Sequence, residues 1–335
     1  MSNGIKARSI KDEKVQPSLQ RGSKPSFSSS LKSFVKQWDA QILVLIPLIH
    51  ILVFSYLPLY GLVMAFQEYR LGDFPGFSEW VGMKHIQRLV SDETFGRVIF
   101  NTLGISILKL FINFPLPIIF AVLVNEIRSK HFKKSVQTIS YLPHFISWVV
   151  AATIIMDFLS PDNGTVNELL MSLNVIDAPI TFMTQPKYFW GILIVTDLWK
   201  ELGWNAIIFT AAISAVDQEM YESAAIDGAN RLQRMWHITV KAIKPTILIL
   251  FIFNVGGVMN ANFDQIMLLT NQMNNTLLRG VADVLDTYVY RVGLREGRFS
   301  FATAAALFKS ILNFALLIAA NTIVARIDDD KTSLF

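Results

Sequence analysis

Seven charged side chains stand inside stretches that are otherwise apolar: Lys109, Asp157, Asp197, Lys200, Glu201, Asp264 and Lys309. The chemistry open to them is ion pairing, hydrogen bonding and contact with polar solutes. Bond-breaking chemistry has no comparable foothold. The 335 residues contain no Gly-x-x-x-x-Gly-Lys-Ser/Thr phosphate loop, no His-Glu-x-x-His and no Gly-x-Ser-x-Gly. His50, His85, His131, His144 and His237 are scattered singly, so each is expected to be structural. The absence of cysteine excludes disulfides, thiol nucleophiles, iron–sulfur clusters and zinc–thiolate sites. No metal, no cofactor and no ATP hydrolysis are expected of this chain.

Spacing groups the polar residues. Asp197, Glu201 and Asn205 recur at four-residue intervals, which is one helical face, and Asp197 can reach Lys200 three residues on. Asn254, Asn262 and Gln265 fall on one stripe, with Gly256, Asn260 and Asp264 beside it. Lys309 and Asn313 share a face with Ala302, Ala305 and Ala306. Small residues admit close helix approach, and amides either bond across helices or meet the hydroxyls of a polar solute. Both readings stand, packing glue and pathway lining. The candidates for a path are Lys109, Asn205, Asn254, Asn262, Gln265, Lys309 and Asn313. A charge near mid-membrane costs ~2.5–3.5 kcal/mol on insertion scales, so each lysine needs a partner, water or an interface. Asp157 and Asp264 lie near the ends of apolar stretches, where headgroup-level placement relieves that cost.

The elements that must position these residues are membrane spans. The chain is 52% hydrophobic and 17% charged, with a mean hydropathy of +0.42 and repeated apolar runs of about twenty residues. Spans are expected near 42–65, 98–125, 138–158, 188–215, 245–270 and 301–325. Pro47, Pro58, Pro115 and Pro117 fall inside them and should kink their helices. Residues 1–41 are polar, Ser-rich and basic, which predicts a largely disordered cytosolic tail rather than a signal peptide. Starting inside, six spans leave both termini, the 326–335 tail and the loops at 126–137 and 216–244 in the cytosol, with 66–97, 159–187 and 271–300 external. Lysines and arginines number 18 on the cytosolic side of that topology and 9 on the other, the expected bias. The net charge of +4 belongs to loops that meet anionic lipid; no basic patch interleaved with aromatics points to nucleic acid.

The loop at 216–244 is patterned beyond what a connector needs. Asp217 can cap a helix whose first turns carry Glu219 and Glu222, where negative charge suits the helix dipole. Ser223, Ala224 and Ala225 keep that helix slim, and Gly228 can take the left-handed conformation that ends it. Residues 229–244 read as a second helix carrying Arg231, Arg234, Lys241 and Lys244. This stretch resembles the EAA loop of ABC importer permeases, whose pattern is Glu-Ala-Ala, three residues, Gly, nine residues, Ile-x-Leu-Pro. Glu222-Ser223-Ala224, Gly228 and Ile238-Thr239-Val240-Lys241 fall at those spacings. Ser223 replaces an Ala, Val240 a Leu and Lys241 the Pro, although Pro245 supplies a break one turn later.

Other stretches extend the resemblance over roughly residues 40–325: Asn101-Thr102-Leu103, Tyr141-Leu142-Pro143 and Trp199-Lys200-Glu201-Leu202-Gly203-Trp204. Phe145-Ile146-Ser147-Trp148, Asp286-Thr287-Tyr288-Val289-Tyr290-Arg291 and Leu307-Phe308-Lys309-Ser310 are similar to the complex-oligosaccharide branch (alginate or pectin type) of the maltose-permease-like carbohydrate importers. The resemblance implies an all-α integral membrane protein with the six-helix type I ABC importer permease fold, in the bacterial cytoplasmic (inner) membrane. It implies a second permease subunit, two ATPase subunits that hold ATP and Mg, an extracytoplasmic solute-binding protein and an oligosaccharide substrate. It places Glu222, Ser223, Ala224, Asp227, Gly228, Ala229 and Ile238 at the ATPase contact. Two lysines near a path, Lys109 and Lys309, would suit an acidic oligosaccharide such as a uronate polymer fragment. The competing reading is an ion-gradient-driven secondary transporter or channel, which calls for inverted repeats or a coupling-ion site.

Overall fold

The computed structural model describes residues 37–327; the basic tail expected over 1–41 and the tail expected over 326–335 therefore lie almost wholly outside the described residues. The described residues divide into two compact units, one ending at Leu59 and the other beginning at Tyr60. In the first, helix α1 (Trp38–Ile51) takes Pro47 in its interior and passes into a π-helical turn, Leu52–Tyr56. Pro47 leaves the Leu43 carbonyl without its amide partner inside the helix.

The second unit is helical apart from one isolated antiparallel bridge, Gln67 to Trp80, among the described residues. A short helix, α2 (Lys84–Val90), follows that bridge. Asp92 then caps α3 (Glu93–Ile112) by accepting the Thr94 amide at 2.8 Å. The chain breaks at Asn113-Phe114, and Pro115 opens α4 (Pro115–Asn125) at a position where its missing N–H costs nothing. Helix α5 (Lys130–Tyr141) starts on the Ser129 hydroxyl and ends in a 3-10 turn around Pro143. Ser147 caps α6 (Trp148–Phe158), which leaves at 102° to the preceding helix. The run expected over 138–158 is thus a bent pair that begins at Lys130. After the short α7 (Thr165–Ser172), α8 (Pro186–Ser214) runs for 29 residues.

Beyond the loop at 217–243, α11 (Lys244–Gly256) begins at Pro245. The apolar run expected to continue to residue 270 stops at Gly256; Gly257–Ala261 turn, and Asn262, at φ 64°, caps a separate helix α12 (Phe263–Leu269). After a single helical turn at Arg279–Ala282 come α13 (Leu285–Tyr290) and α14 (Phe299–Ile327), the last helix among the described residues. Among the described residues, three helical runs are long and apolar enough to cross a membrane, and up to five if each bent pair is one span. Helix α8 has the length but carries Asp197, Lys200 and Glu201 at its middle.

The core lies around α8. Ile105, Ile155, Phe189, Leu193 and Ile266 pack in one apolar cluster. Ala121, Ala206, Phe209 and Ile243 form a second toward the other end of α8. Helix α5 comes so close that a Cβ on Gly203 would lie 2.1 Å from the Ser140 carbonyl oxygen.

Candidate functional site

At the middle of α8 the buried charges find partners on other helices. Asp197 accepts from Lys109 Nζ at 3.1 Å, from Asn113 Nδ2 at 2.8 Å and from Asn262 Nδ2 at 3.0 Å. Lys109 Nζ also donates to Gln265 Oε1 at 3.0 Å. Gln265 is fully buried and donates to the Leu193 carbonyl and the Thr196 hydroxyl, each at 2.8 Å. Asp197 therefore joins the end of α3, the break at Asn113 and the cap of α12. The pairing expected within α8 does not form: Lys200 donates instead to the His144 carbonyl at 2.7 Å and to Glu201 at 3.2 Å. Residues three apart on a helix diverge by about 60°, and here the Asp197 carboxylate and the Lys200 ammonium each turn to a different neighbouring segment.

His144, read from sequence as an isolated structural residue, is part of that second cluster. Its Nδ1 lies 2.7 Å from Glu201 Oε2, and its ring stacks on Trp204 at 4.1 Å. The signal available was its place directly after Leu142-Pro143, where the chain must bend.

The remaining path candidates fall elsewhere. Asn205 and Asn254 are exposed and line a cavity of about 210 Å³ with Asn113 and Trp204. The Asn254 side chain donates to the Leu250 carbonyl of its own helix at 2.9 Å. The Oδ1 of Asn113 is buried with no partner. On α14, Lys309 is ion-paired with Asp286 of α13, and Asn313 accepts the Met259 amide at 3.1 Å. Lys109, Asn262 and Gln265 are thus brought together, Asn205 and Asn254 border a cavity beside them, and Lys309 and Asn313 serve separate contacts.

The loop between α8 and α11 is a second distinct feature. Asp217 caps α9 (Gln218–Ile226) by accepting the Glu219 amide at 3.0 Å. Gly228 ends it at φ 81°, and the Ala229 amide closes back on the Ala224 carbonyl at 2.9 Å. Helix α10 (Arg231–Arg234) begins with a capping box in which Asn230 and Gln233 exchange bonds of 2.8 and 2.9 Å. It widens into a π turn, Met235–Thr239. Tyr221 and Thr239 hydroxyls, 3.0 Å apart, tie the two arms together.

Glu222, Ser223, Asp227 and Gly228 are exposed, whereas Ile238 is buried beneath them. Ala224, Asp227, Gly228, Ala229 and Ile238 line a depression of about 300 Å³ with His237. Lys241 in place of a proline lets the helix continue to Ala242; the chain turns at Ile243, with a 62° bend into α11. Sequence reasoning passed over Ile226, Leu232 and Trp236, which are 87%, 74% and 68% exposed around this depression. Their signal was the presence of large apolar residues in a polar loop with no buried face to fill.

Bent, incompletely apolar helices held by internal ion pairs, joined by an exposed two-helix loop, suit a membrane transport subunit. Residues 113–329 match the family described as the binding-protein-dependent transport system inner membrane component, and the chain belongs to that family. It is a permease subunit of an ABC importer and not an enzyme. The chain is similar to Protein LplB of Bacillus subtilis (strain 168), with 40% identity across 94% of this chain and 96% of that one. It is similar too to the polygalacturonan/rhamnogalacturonan transport system permease protein YteP of the same organism, 40% identical across 90% of this chain and 92% of the other. Among solved structures, a bacterial ABC transporter involved in the import of the acidic polysaccharide alginate matches with a TM-score of 0.80 and 38% identity, covering 89% of this chain and 99% of that one. A bacterial alginate ABC transporter in complex with an alginate pentasaccharide-bound periplasmic protein matches at 0.79 and 39%, covering 89% and 98%.

Proposed function

We propose that this chain is one of two membrane-spanning permease subunits of an importer for acidic oligosaccharides, working with the second permease subunit, two ATPase subunits and an extracytoplasmic binding protein. The observation that carries the reading is the likeness to the alginate transporter over nearly nine-tenths of the chain at 38% identity. The polygalacturonan/rhamnogalacturonan permease, at 40% identity, points to the same class of uronate-containing substrate. ATP and Mg belong to the ATPase subunits; this chain's part is to receive their motion.

The loop at 217–243 is the surface that would receive it, with both termini on the same, cytosolic side. Glu222 offers a carboxylate on an exposed face, and Ala224, Gly228 and Ala229 offer close approach at the depression above Ile238. Asp227 lies at the same edge. Closure of two ATPase subunits would push α9, and the bend into α11 would carry the push to the helices around Asp197.

The path for sugar would pass the amides Asn205 and Asn254 and the orphan acceptor of Asn113. Lys309 bears on substrate charge in a more specific way than sequence alone implied. Its ammonium is held by Asp286, so a uronate carboxylate would compete with Asp286 for it. Lys309→Ala combined with Asp286→Asn removes the pair without stranding either charge. In proteoliposomes holding the complete importer, uptake of an acidic oligosaccharide should fall several-fold more than uptake of a neutral one. Equal loss for both would remove Lys309 from charge selection.

A further inference from the structure

Between α6 and α8 runs a groove of about 640 Å³ that nothing in the transport reading uses. Helix α6 supplies Ile155 and Phe158 to its walls, and α8 supplies Gly191, Val195 and Trp199. Of its lining residues that carry polar atoms, Thr196 has its hydroxyl engaged inward: it donates to the Ile192 carbonyl at 2.6 Å and accepts from Gln265 at 2.8 Å, while Tyr188 and Trp199 line the groove chiefly with their rings. The walls are almost wholly apolar and suit hydrocarbon.

Its dimensions fit one leaflet. From Tyr188 to Trp199, both of which line it, α8 advances eleven residues, which is about 16 Å at the helical rise. Half of a bilayer's hydrocarbon core is about 15 Å deep. Beside Tyr188, in the first turn of α8, stands Lys187, exposed, with its Nζ 4.6 Å from the centre of the Tyr188 ring and no ion pair among the described residues. An ammonium at headgroup depth attracts the phosphate of an anionic lipid.

The walls are poorly suited to a neighbouring helix. Helix contacts in membranes favour small residues and cross-helix hydrogen bonds. Here Phe158, Val195 and Trp199 project, 52%, 64% and 42% exposed. Gly191 is the small residue of the wall, and a Cβ there meets nothing within 4 Å, so it marks open space. We propose that the groove holds an acyl chain of an anionic phospholipid whose phosphate sits at Lys187. The lipid lies alongside α6, which leaves α5 at 102°, and against α8.

The test uses the complete importer, exchanged from detergent into nanodiscs of mixed phosphatidylglycerol and phosphatidylcholine, with retained lipid counted by native mass spectrometry. The wild-type complex should retain phosphatidylglycerol in preference to phosphatidylcholine. Gly191→Trp should reduce retention to background, and Lys187→Gln should abolish the preference while keeping a lipid bound. A photoreactive benzoyl-phenyl side chain introduced at position 195 gives a second reading that does not depend on filling the groove, and it should cross-link to lipid. Wild-type retention in Gly191→Trp, or a cross-link from position 195 to a partner subunit, would overturn the proposal.

Discussion

Asp197 is the residue on which the interior depends most. Replacing it with alanine strands Lys109 as a buried unpaired cation and frees the amides of Asn113 and Asn262. Losing one partner of such a pair costs about 3–5 kcal/mol. Asp197→Ala should therefore lower the thermal midpoint of the purified complex sharply, while the joint change Asp197→Asn with Lys109→Met should restore most of it; scanning fluorimetry of both variants checks this. The partnership could not be read from sequence. Lys200 was the acceptable neighbour by spacing, whereas Lys109 is 88 residues away in sequence and meets Asp197 only because α3 and α8 pack. In the loop, by contrast, Asp217 and Gly228 were legible, because caps and left-handed glycines act on their own neighbours.

At the scale of elements, closeness of approach is the variable that matters. Gly203 has the Ser140 backbone within reach of any added Cβ, while Gly96 has nothing within 4 Å. Alanine at Gly203 must push α5 from α8 and should cost at least the ~1–3 kcal/mol of overpacking, with loss of assembled complex on gel filtration. Alanine at Gly96 should leave assembly unchanged or strengthen α3 slightly.

A second element, the turn between Gln67 and Trp80, is tied down by Lys84 on Glu68 at 2.7 Å. The hydrogen bond from Lys84 holds the Glu68 carboxyl below the usual carboxylate range. The tie is thus intact above the ordinary carboxylate pKa and is lost as pH falls through the depressed one. Protection of the amides in residues 67–81, referred to their intrinsic exchange rates at each pH, should fall over that acidic window in wild type, and the step should be absent in Lys84→Gln. The break at Asn262 escaped the sequence because an apolar run looks the same whether its backbone is straight or bent. Pro115 and Pro245 announced the breaks before them, and Pro143 stands just ahead of the bend at Ser147.

For the whole molecule, composition, apolar run length and the loop pattern made the membrane bundle and the importer class legible, since each is a property of local sequence. The meeting of α3, α8 and α12 around Asp197 was not, because tertiary contacts decide it. The central claim is that this chain turns ATPase motion at 217–243 into movement of an acidic oligosaccharide across the bundle. The most direct measurement follows ATP hydrolysis and uptake of a labelled acidic oligosaccharide together, in proteoliposomes that contain the complete importer and its binding protein. Wild type should show uptake that requires both ATP and the binding protein. Glu222→Lys should assemble at least in part and lose uptake, with any remaining hydrolysis no longer linked to transport. Coupled uptake at the wild-type rate in Glu222→Lys, or uptake by wild type driven by an ion gradient without ATP, would contradict the claim.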